Sequence, residues 1–317
     1  MMNAVMERLL DLVEKDPLPE QDTSSFWKEY GSPQLFEREG DTLSLLANRF
    51  EWVKPMGPAD RFLQMLERAS YRPVTARLQA FSEVWPIARQ LVRDLGGDPH
   101  FNVLKSACIT ALLTDHWRAQ RLSPKVFVII GDGFGFLGAL IRRWIPDSTL
   151  YLIDLPKMLV LQARTHGLAD PQAAMEYLPE EAAAGRSPIL FSLPKDIERL
   201  PGVVDCAINV ASMQEMKPSS ITAYFKFLRQ RSGRQSHFYC VNRTEKRLPD
   251  GEWIRFGDFP WQPEDKVFLN GVCPYYTHFF SSFTLPPGPK VLGLRVPFVN
   301  HFDGVHLHRL AHLAHDP

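Results

Sequence analysis

Side chains able to do chemistry fall in five places along the 317 residues. Gly131, Asp132, Gly133 and Gly135 make a G-D-G-x-G turn straight after the apolar run Val126-Phe127-Val128-Ile129-Ile130. Asp154 closes a second apolar run, Thr149 to Ile153. Gln214 and Glu215 follow a run ending at Val210, and Asn242 and Arg243 follow another ending at Val241. His278 stands among aromatics in Tyr275-Tyr276-Thr277-His278-Phe279-Phe280. Alternate glycines let a turn take positive φ and let a ligand reach the backbone without meeting a Cβ. An acid at the tip of the next strand can accept hydrogen bonds from both hydroxyls of a ribose. Asp154 also reads as a helix N-cap before Leu155-Pro156, and the two roles are compatible.

Apolar runs and helical spacing predict the elements that hold these groups. Leu137, Leu140, Ile141 and Trp144 recur at helical spacing after the turn, so strand, loop and helix come in that order. A helix over 155–166 follows Asp154. After a polar insertion at 180–186, a strand over 188–192 ends in Ser192. A fourth strand covers 203–210, and Ser219 or Ser220 caps a helix with Ile221, Tyr224, Phe225 and Leu228 on one face. A fifth strand covers 236–242. The stretch 247–275, rich in Pro, Gly and Trp, reads as a long substrate-binding loop. Strands over 276–285 and 291–299, joined by Pro286-Pro287-Gly288-Pro289, predict an antiparallel hairpin.

The sum is an α/β fold: a Rossmann-like sheet of seven strands with the last pair antiparallel, over residues 123–317. Residues 1–122 read as a helical N-terminal region serving as lid, substrate wall or homodimer contact. Its helices are expected near 5–13, 43–50, 59–70, 74–95 (broken or kinked at Pro86) and 103–117. Phe26, Trp27, Tyr30, Trp52, Phe81 and Trp85 read as core.

Two registers of the glycine turn compete. Gly133, Gly135 and Gly138 match the G-x-G-x-x-G of NAD proteins, but Gly133 lies two residues beyond the point where that fingerprint starts. Counting from Gly131 puts G-x-G-x-G directly at the strand end, the spacing of S-adenosylmethionine (SAM) methyltransferases. Asp132 would repel a pyrophosphate, whereas SAM carries a sulfonium and an ammonium and no phosphate. No Lys-Ser/Thr follows the loop, which excludes a P-loop.

Composition narrows the partners. Lys+Arg and Asp+Glu both number 36, giving zero formal charge. No global basic field and no basic run point to nucleic acid. The four cysteines are isolated, without zinc spacing, and read as buried free thiols of a cytoplasmic protein. No run is long and apolar enough for a membrane span. His301, His306, His308, His312 and His315 cluster near the C-terminus. With neither an HExxH arrangement nor a cysteine partner they read as a solvated helix, and no metal site is expected.

Four motifs together, GDGFG (131–135), LIDLP (152–156), INVASMQEM (208–216) and YCVNR (239–243), resemble the sugar O-methyltransferases of bacterial polysaccharide gene clusters. The resemblance covers roughly residues 70–285. It implies a class I SAM-dependent fold and methylation of a sugar hydroxyl on a small-molecule or glycan acceptor. It departs at Ile129, where methyltransferases usually carry an acid that orders the loop and holds the amino end of SAM. Asp132 is the candidate substitute. A degenerate, non-catalytic scaffold and an NAD-dependent oxidoreductase are the alternative readings.

On this reading Gly131, Asp132, Gly133, Gly135, Asp154, Leu155 and Ser192 hold the cofactor, and Gln214, Asn242 and Arg243 hold the acceptor. A hydroxyl needs a base in methyl transfer. His278 and Glu215 are the candidates, with Glu215 equally readable as an ion-pair partner of Arg243.

Overall fold

The computed structural model describes residues 4–16, 19, 23–30, 36–39, 42–45, 55–178, 188–282 and 286–315. In chain order the helices are α1 (Ala4–Lys15), α2 (Ser25–Tyr30), α3 (Pro58–Ser70), α4 (Arg72–Thr75), α5 (Phe81–Asp94), α6 (Phe101–Gln120), α7 (Phe136–Trp144), α8 (Pro156–Ala169) and α9 (Pro218–Arg231). The strands of the large sheet are β1 (Val126–Ile130), β2 (Thr149–Ile153), β3 (Met175–Tyr177), β4 (Ile189–Ser192), β5 (Val204–Val210), β6 (Ser232–Arg243), β7 (Lys266–Val272) and β8 (His306–His312).

Two compact units are each assembled from separate stretches of chain. The first takes residues 1–51, 124–271 and 307–317, and the second takes 52–123 and 272–306. The sequence alone predicts a single cut between 122 and 123. The amphipathic α1 packs on α8 through buried Met6, Leu9 and Leu10, which draws the start of the chain into the α/β unit.

The first unit is built on the eight-stranded sheet, in the order β7-β8-β6-β5-β1-β2-β4-β3. Strands β3, β4, β2, β1, β5 and β6 run parallel. From β1 the chain winds outward through β2 to β4, then returns to β5 on the other side. The β1/β5 boundary is therefore the topological switch point, where open α/β sheets place ligands. Strand alternation puts Val128 and Ile130 into one buried layer with Ile221, Phe225 and Leu228 of α9. Phe127 and Ile129, equally buried, belong to the opposite face. Each such side chain contributes about 1.5–3 kcal/mol on burial.

The α/β class and the first strands match the sequence-based expectation, and the closing pair does not. Residues 276–299 give small antiparallel ladders in the second unit, His278–Phe280 with Val299–His301 and Lys290–Val291 with Leu294–Arg295. The large sheet is instead completed by β7, inside the expected loop, and by β8, inside the expected C-terminal helix. The Asn270 side chain accepts from Arg309, and Cys273 N–H donates to His306 C=O, so partners run in opposite senses as in an antiparallel pair. On a strand, His306, His308 and His312 share one face. Among the described residues no group of three metal-ligating side chains comes together. The eighth strand, β3, is a three-residue edge strand beyond the expected seven.

In the second unit α3 and α6 lie where spacing predicts. The helix expected over 74–95 is split at 76–80, not at Pro86, which sits inside α5. Asp115 of α6 causes the split: its carboxylate accepts from the N–H groups of Gln79 and Ala80, at 2.7 and 2.9 Å, just ahead of α5. Instead of a helix over 43–50 there is a strand Thr42–Leu45 paired with Phe36–Glu39. Residues 46–50, Trp52 and the 180–186 insertion lie outside the described residues. The N-cap of α9 is Lys217 with Pro218 behind it, not a serine. All four cysteines are free and buried. Among the described residues no helix is long and apolar enough to cross a membrane.

One buried ion pair pins the first unit. Arg229 of α9 makes a bidentate contact with Asp265, at 2.6 and 2.9 Å, and also donates to the carbonyls of Pro260 and Ala314. Both side chains are almost wholly buried, 2% and 1% exposed. Removing one partner leaves a buried charge uncompensated, so Arg229→Ala should lower unfolding stability by about 3–5 kcal/mol in urea denaturation.

Candidate functional site

The carboxyl ends of β1, β2, β5 and β6 form the candidate site. Gly131 follows β1 directly, and Gly131, Gly133 and Gly135 take φ of +72°, +60° and +82°. Two of these glycines are also forced by packing. A Cβ on Gly131 would lie 2.2 Å from Ser212 Oγ, and one on Gly135 would lie 3.0 Å from Gln162 Cα. Asp132 turns back on the helix it precedes, and its carboxylate accepts from Gly138 N–H at 2.8 Å. The first turn of α7 thus already holds an anion of the chain's own.

Asp154 stands at the tip of β2, partly exposed. Its Oδ1 accepts from Leu155 N–H and its Oδ2 from the Gln162 amide, both at 2.8 Å. Burial raises its pKa to about 7 against these bonds and a further one from the Gly133 backbone, with the Glu215 charge adding to the rise. A carboxylate has roughly four acceptor positions, so three donors leave about one for a ligand hydroxyl. Leu155 is buried and begins α8. Ser192 is fully buried, with its hydroxyl on Leu193 C=O at 3.1 Å and its own carbonyl accepting from Asp154 N–H at 3.3 Å.

The next layer is a chain of buried amides. Asn209, at the end of β5, donates to Ile130 C=O (2.9 Å) and to Ser212 Oγ (2.5 Å). Ser212 in turn donates to Ile130 C=O at 3.0 Å. Asn242 donates to Asn209 Oδ1 at 2.8 Å and accepts from Gln214 N–H at 2.9 Å. Gln214 Oε1 accepts from Arg243 N–H at 2.7 Å. Asn242 has no exposed surface and Gln214 very little. The structure therefore places both in the framework of the strand ends, whereas the sequence suggested acceptor contacts. Arg243 is half-buried beside them.

Glu215 pairs with Lys246 at 2.6 Å, so its ion-pair partner is Lys246 where the sequence offered Arg243. Burial raises the Glu215 pKa, while Lys246 and then Arg243 pull it down. Lys246 lies 3.7 Å over the Phe26 ring, and Ser24 Oγ donates to Glu215 C=O, so α2 and its cap residue cover this corner.

His278 belongs to the second unit. It stacks on Tyr71 with ring centroids 4.7 Å apart. Its Nε2 bonds Ser70 Oγ at 2.8 Å and its Nδ1 bonds Thr277 Oγ1 at 2.9 Å. Burial and the nearby His301 lower its pKa.

Sequence reasoning missed Gln162, Asn209, Ser212, Lys246 and Ala211. Gln162 had a usable signal, a lone amide on an apolar helix eight residues past Asp154. Ala211 had none. It holds φ of +60° where Ala211 N–H bonds Val241 C=O at 2.7 Å, and a left-handed non-glycine residue at a sheet's ligand end is a strained position.

No family model matches the sequence, and no curated protein matches it. Solved structures that do match include a magnesium protoporphyrin IX methyltransferase from Synechocystis PCC 6803 with bound SAM (12% identity, 70% of this chain and 82% of that one, TM-score 0.35). A SAM-dependent methyltransferase from Clostridium acetobutylicum matches at 12% identity over 64% of this chain and 89% of that one, TM-score 0.35. An amino pentose methyltransferase from Micromonospora echinaspora matches at 15% identity over 41% and 48%, TM-score 0.28. Likeness at this level carries no functional weight, and the fold assignment rests on the strand order itself.

The Gly131–Ser212 contact is directly testable. Gly131→Ala should lower the unfolding midpoint through both its positive φ, about 1–2 kcal/mol, and the clash. Adding Ser212→Gly should restore part of the loss in a double-mutant cycle.

Proposed function

We propose that the chain is a SAM-dependent methyltransferase whose acceptor is a hydroxyl on a sugar or sugar-bearing intermediate. The observation that carries this reading is the left-handed glycine turn at the switch point, with Asp154 at the adjacent strand tip. Charge supports SAM over a dinucleotide. Asp132 occupies the N-terminus of α7, where a pyrophosphate would otherwise sit. The Glu215 charge raises the proton affinity of Asp154, a repulsion that a cationic ligand relieves. The scaffold alternative rested on Ile129, which is a buried core residue. The ordering that an acid there would give comes instead from Asn209 and Ser212 on Ile130 C=O and from Asp132 on Gly138 N–H.

SAM, when bound, supplies a methyl group on a sulfonium. Asp154 would accept one ribose hydroxyl, and the partly exposed turn at residues 131–133 would lie against the cofactor. Glu215 would take the proton of the acceptor hydroxyl, whose oxygen would receive the methyl group. Lys246 holds that carboxylate in place. His278 is not our choice of base, because Ser70 and Thr277 already engage both ring nitrogens. The sugar as acceptor class rests on the motif resemblance.

Calorimetric titration with SAM, S-adenosylhomocysteine and NAD(H) tests the reading. We expect saturable binding of the first two, abolished in Asp154→Ala; binding of NAD(H) alone would overturn it. The ribose hydroxyl prefers the ionised carboxylate, so affinity is full above the Asp154 pKa of about 7 and falls below it. From pH 8 to pH 6 the loss should be about tenfold, and Asp154→Asn should flatten the profile. With an acceptor in hand, Glu215→Gln should lower turnover at saturating SAM by about 10²–10⁴-fold.

A further inference from the structure

Arginines scattered through the second unit's sequence converge on one surface. On α3, Arg61, Met65 and Arg68 fall at i, i+4 and i+7, one face of the helix, and Arg72 opens the next turn at i+11. On α5, Phe81, Trp85, Arg89 and Arg93 follow at four-residue intervals. Between these rows lie two adjoining hollows of about 530 and 220 Å³, which share Met65, Arg68, Trp85 and Arg89. Together they fall in the size range of small-molecule sites, about 300–1,000 Å³.

The charge in this groove is not balanced from within. Among the described residues Asp98 is the acid that lines it, bonding Arg61 at 3.0 Å and Met56 N–H at 2.9 Å. Asp60, in the first turn of α3, does not line it, and three further acids of these helices are engaged elsewhere. Glu67 is buried with its carboxylate on Phe280 N–H, Glu83 holds Arg118 bidentately, and Asp94 accepts from Gln90. The groove also has a flat platform. Trp85 is partly exposed and stacks on Phe81, with centroids 5.8 Å apart and planes 13° apart, and the Arg68 guanidinium sits 6.0 Å from the indole.

We propose that this groove binds a nucleoside diphosphate: a diphosphate held by Arg68, Arg89 and their neighbours, with its planar base on Trp85. Guanidinium forks match phosphate oxygens bidentately, and an aromatic face stacks a base of any identity. The chemistry is compact. One platform flanked by arginines suits one ring and a short run of charge. A long polyanion would need an extended phosphate track and would gain nothing from a chain of zero formal charge. The site is independent of the methyl-transfer reading, since all of its residues lie in the second unit.

The probe is uridine diphosphate, titrated into the full chain by calorimetry at low salt, with uridine, inorganic pyrophosphate and a short single-stranded oligonucleotide alongside. We expect saturable binding of uridine diphosphate, weaker binding of pyrophosphate, and affinity that falls as salt rises. The double variant Arg68→Ala/Arg89→Ala should weaken uridine diphosphate at least tenfold while its unfolding curve still shows a cooperatively folded protein. Trp85→Leu should bring uridine diphosphate down to the pyrophosphate level. Excess SAM should not displace the nucleotide, and Asp154→Ala should bind it normally, which separates this site from the sheet-end site. Absence of uridine diphosphate binding, indifference to the arginine pair, or binding of the oligonucleotide alone would each overturn the proposal. Pyrophosphate binding as tightly as uridine diphosphate would overturn the ring-stacking half of it.

Discussion

The site depends on hydrogen-bond satisfaction where three parallel strands stop together. At the ends of β1, β5 and β6 the backbone leaves the ladder while still buried, and carbonyls such as that of Ile130 need donors from outside it. Asn209 and Asn242 meet that need as linked amides, each giving with its nitrogen and receiving with its oxygen. A donor or acceptor left bare here costs about 1–3 kcal/mol, so the network admits few arrangements. Ser212 is fixed by Asn209 and presses on position 131, which must be glycine. Gln214 is fixed by Asn242, and this sets where Glu215 emerges. The shape of the glycine turn and the place of the candidate base share one cause.

Electrostatics on this framework is divided by environment. Asp132, Asp154 and Glu215 all lie at the sheet's carboxyl end, and each is committed differently: to a helix N-terminus, to three hydrogen-bond donors, and to a lysine. Burial pushes both Asp154 and Glu215 toward the protonated form. Lys246 is itself sheltered against Phe26, so α2 bears on the chemistry through a cation held over a ring.

Legibility in the sequence followed how much each feature depends on local pattern. β1, β2, β4 and β5 are short apolar runs between turns, and burial on both sheet faces makes such runs conspicuous. The glycine turn and Asp154 were visible because their spacing from the strand ends is local. β8 was not. Its histidines at 306, 308 and 312 fit a helix face by their four-residue spacing and a strand face by their two-residue spacing, and their polarity suggested solvent. β7 was hidden because its residues are partly exposed, without an apolar run to mark them. The split of the 74–95 helix depends on Asp115, about 35 residues away, so no nearby residue announces it. The amide network hid for the same reason: Asn209 and Asn242 look like ordinary strand-end residues until the sheet sets them side by side. Five of the six arginines between 61 and 93 likewise become a groove only when α3, α4 and α5 are laid together.

The order of β7, β8 and β6 in the sheet also bears on how the chain is made. Strand β8 comes from residues 306–312, yet it lies between two strands synthesised before it. Until that segment has left the ribosome, β6 and β7 each present an open edge of unpaired backbone groups, the kind of surface that recruits strands from other chains. Closure of the sheet is therefore a late event in synthesis. A nascent chain stalled near residue 300 would leave the edge of β6 open and β7 without its partner in the sheet.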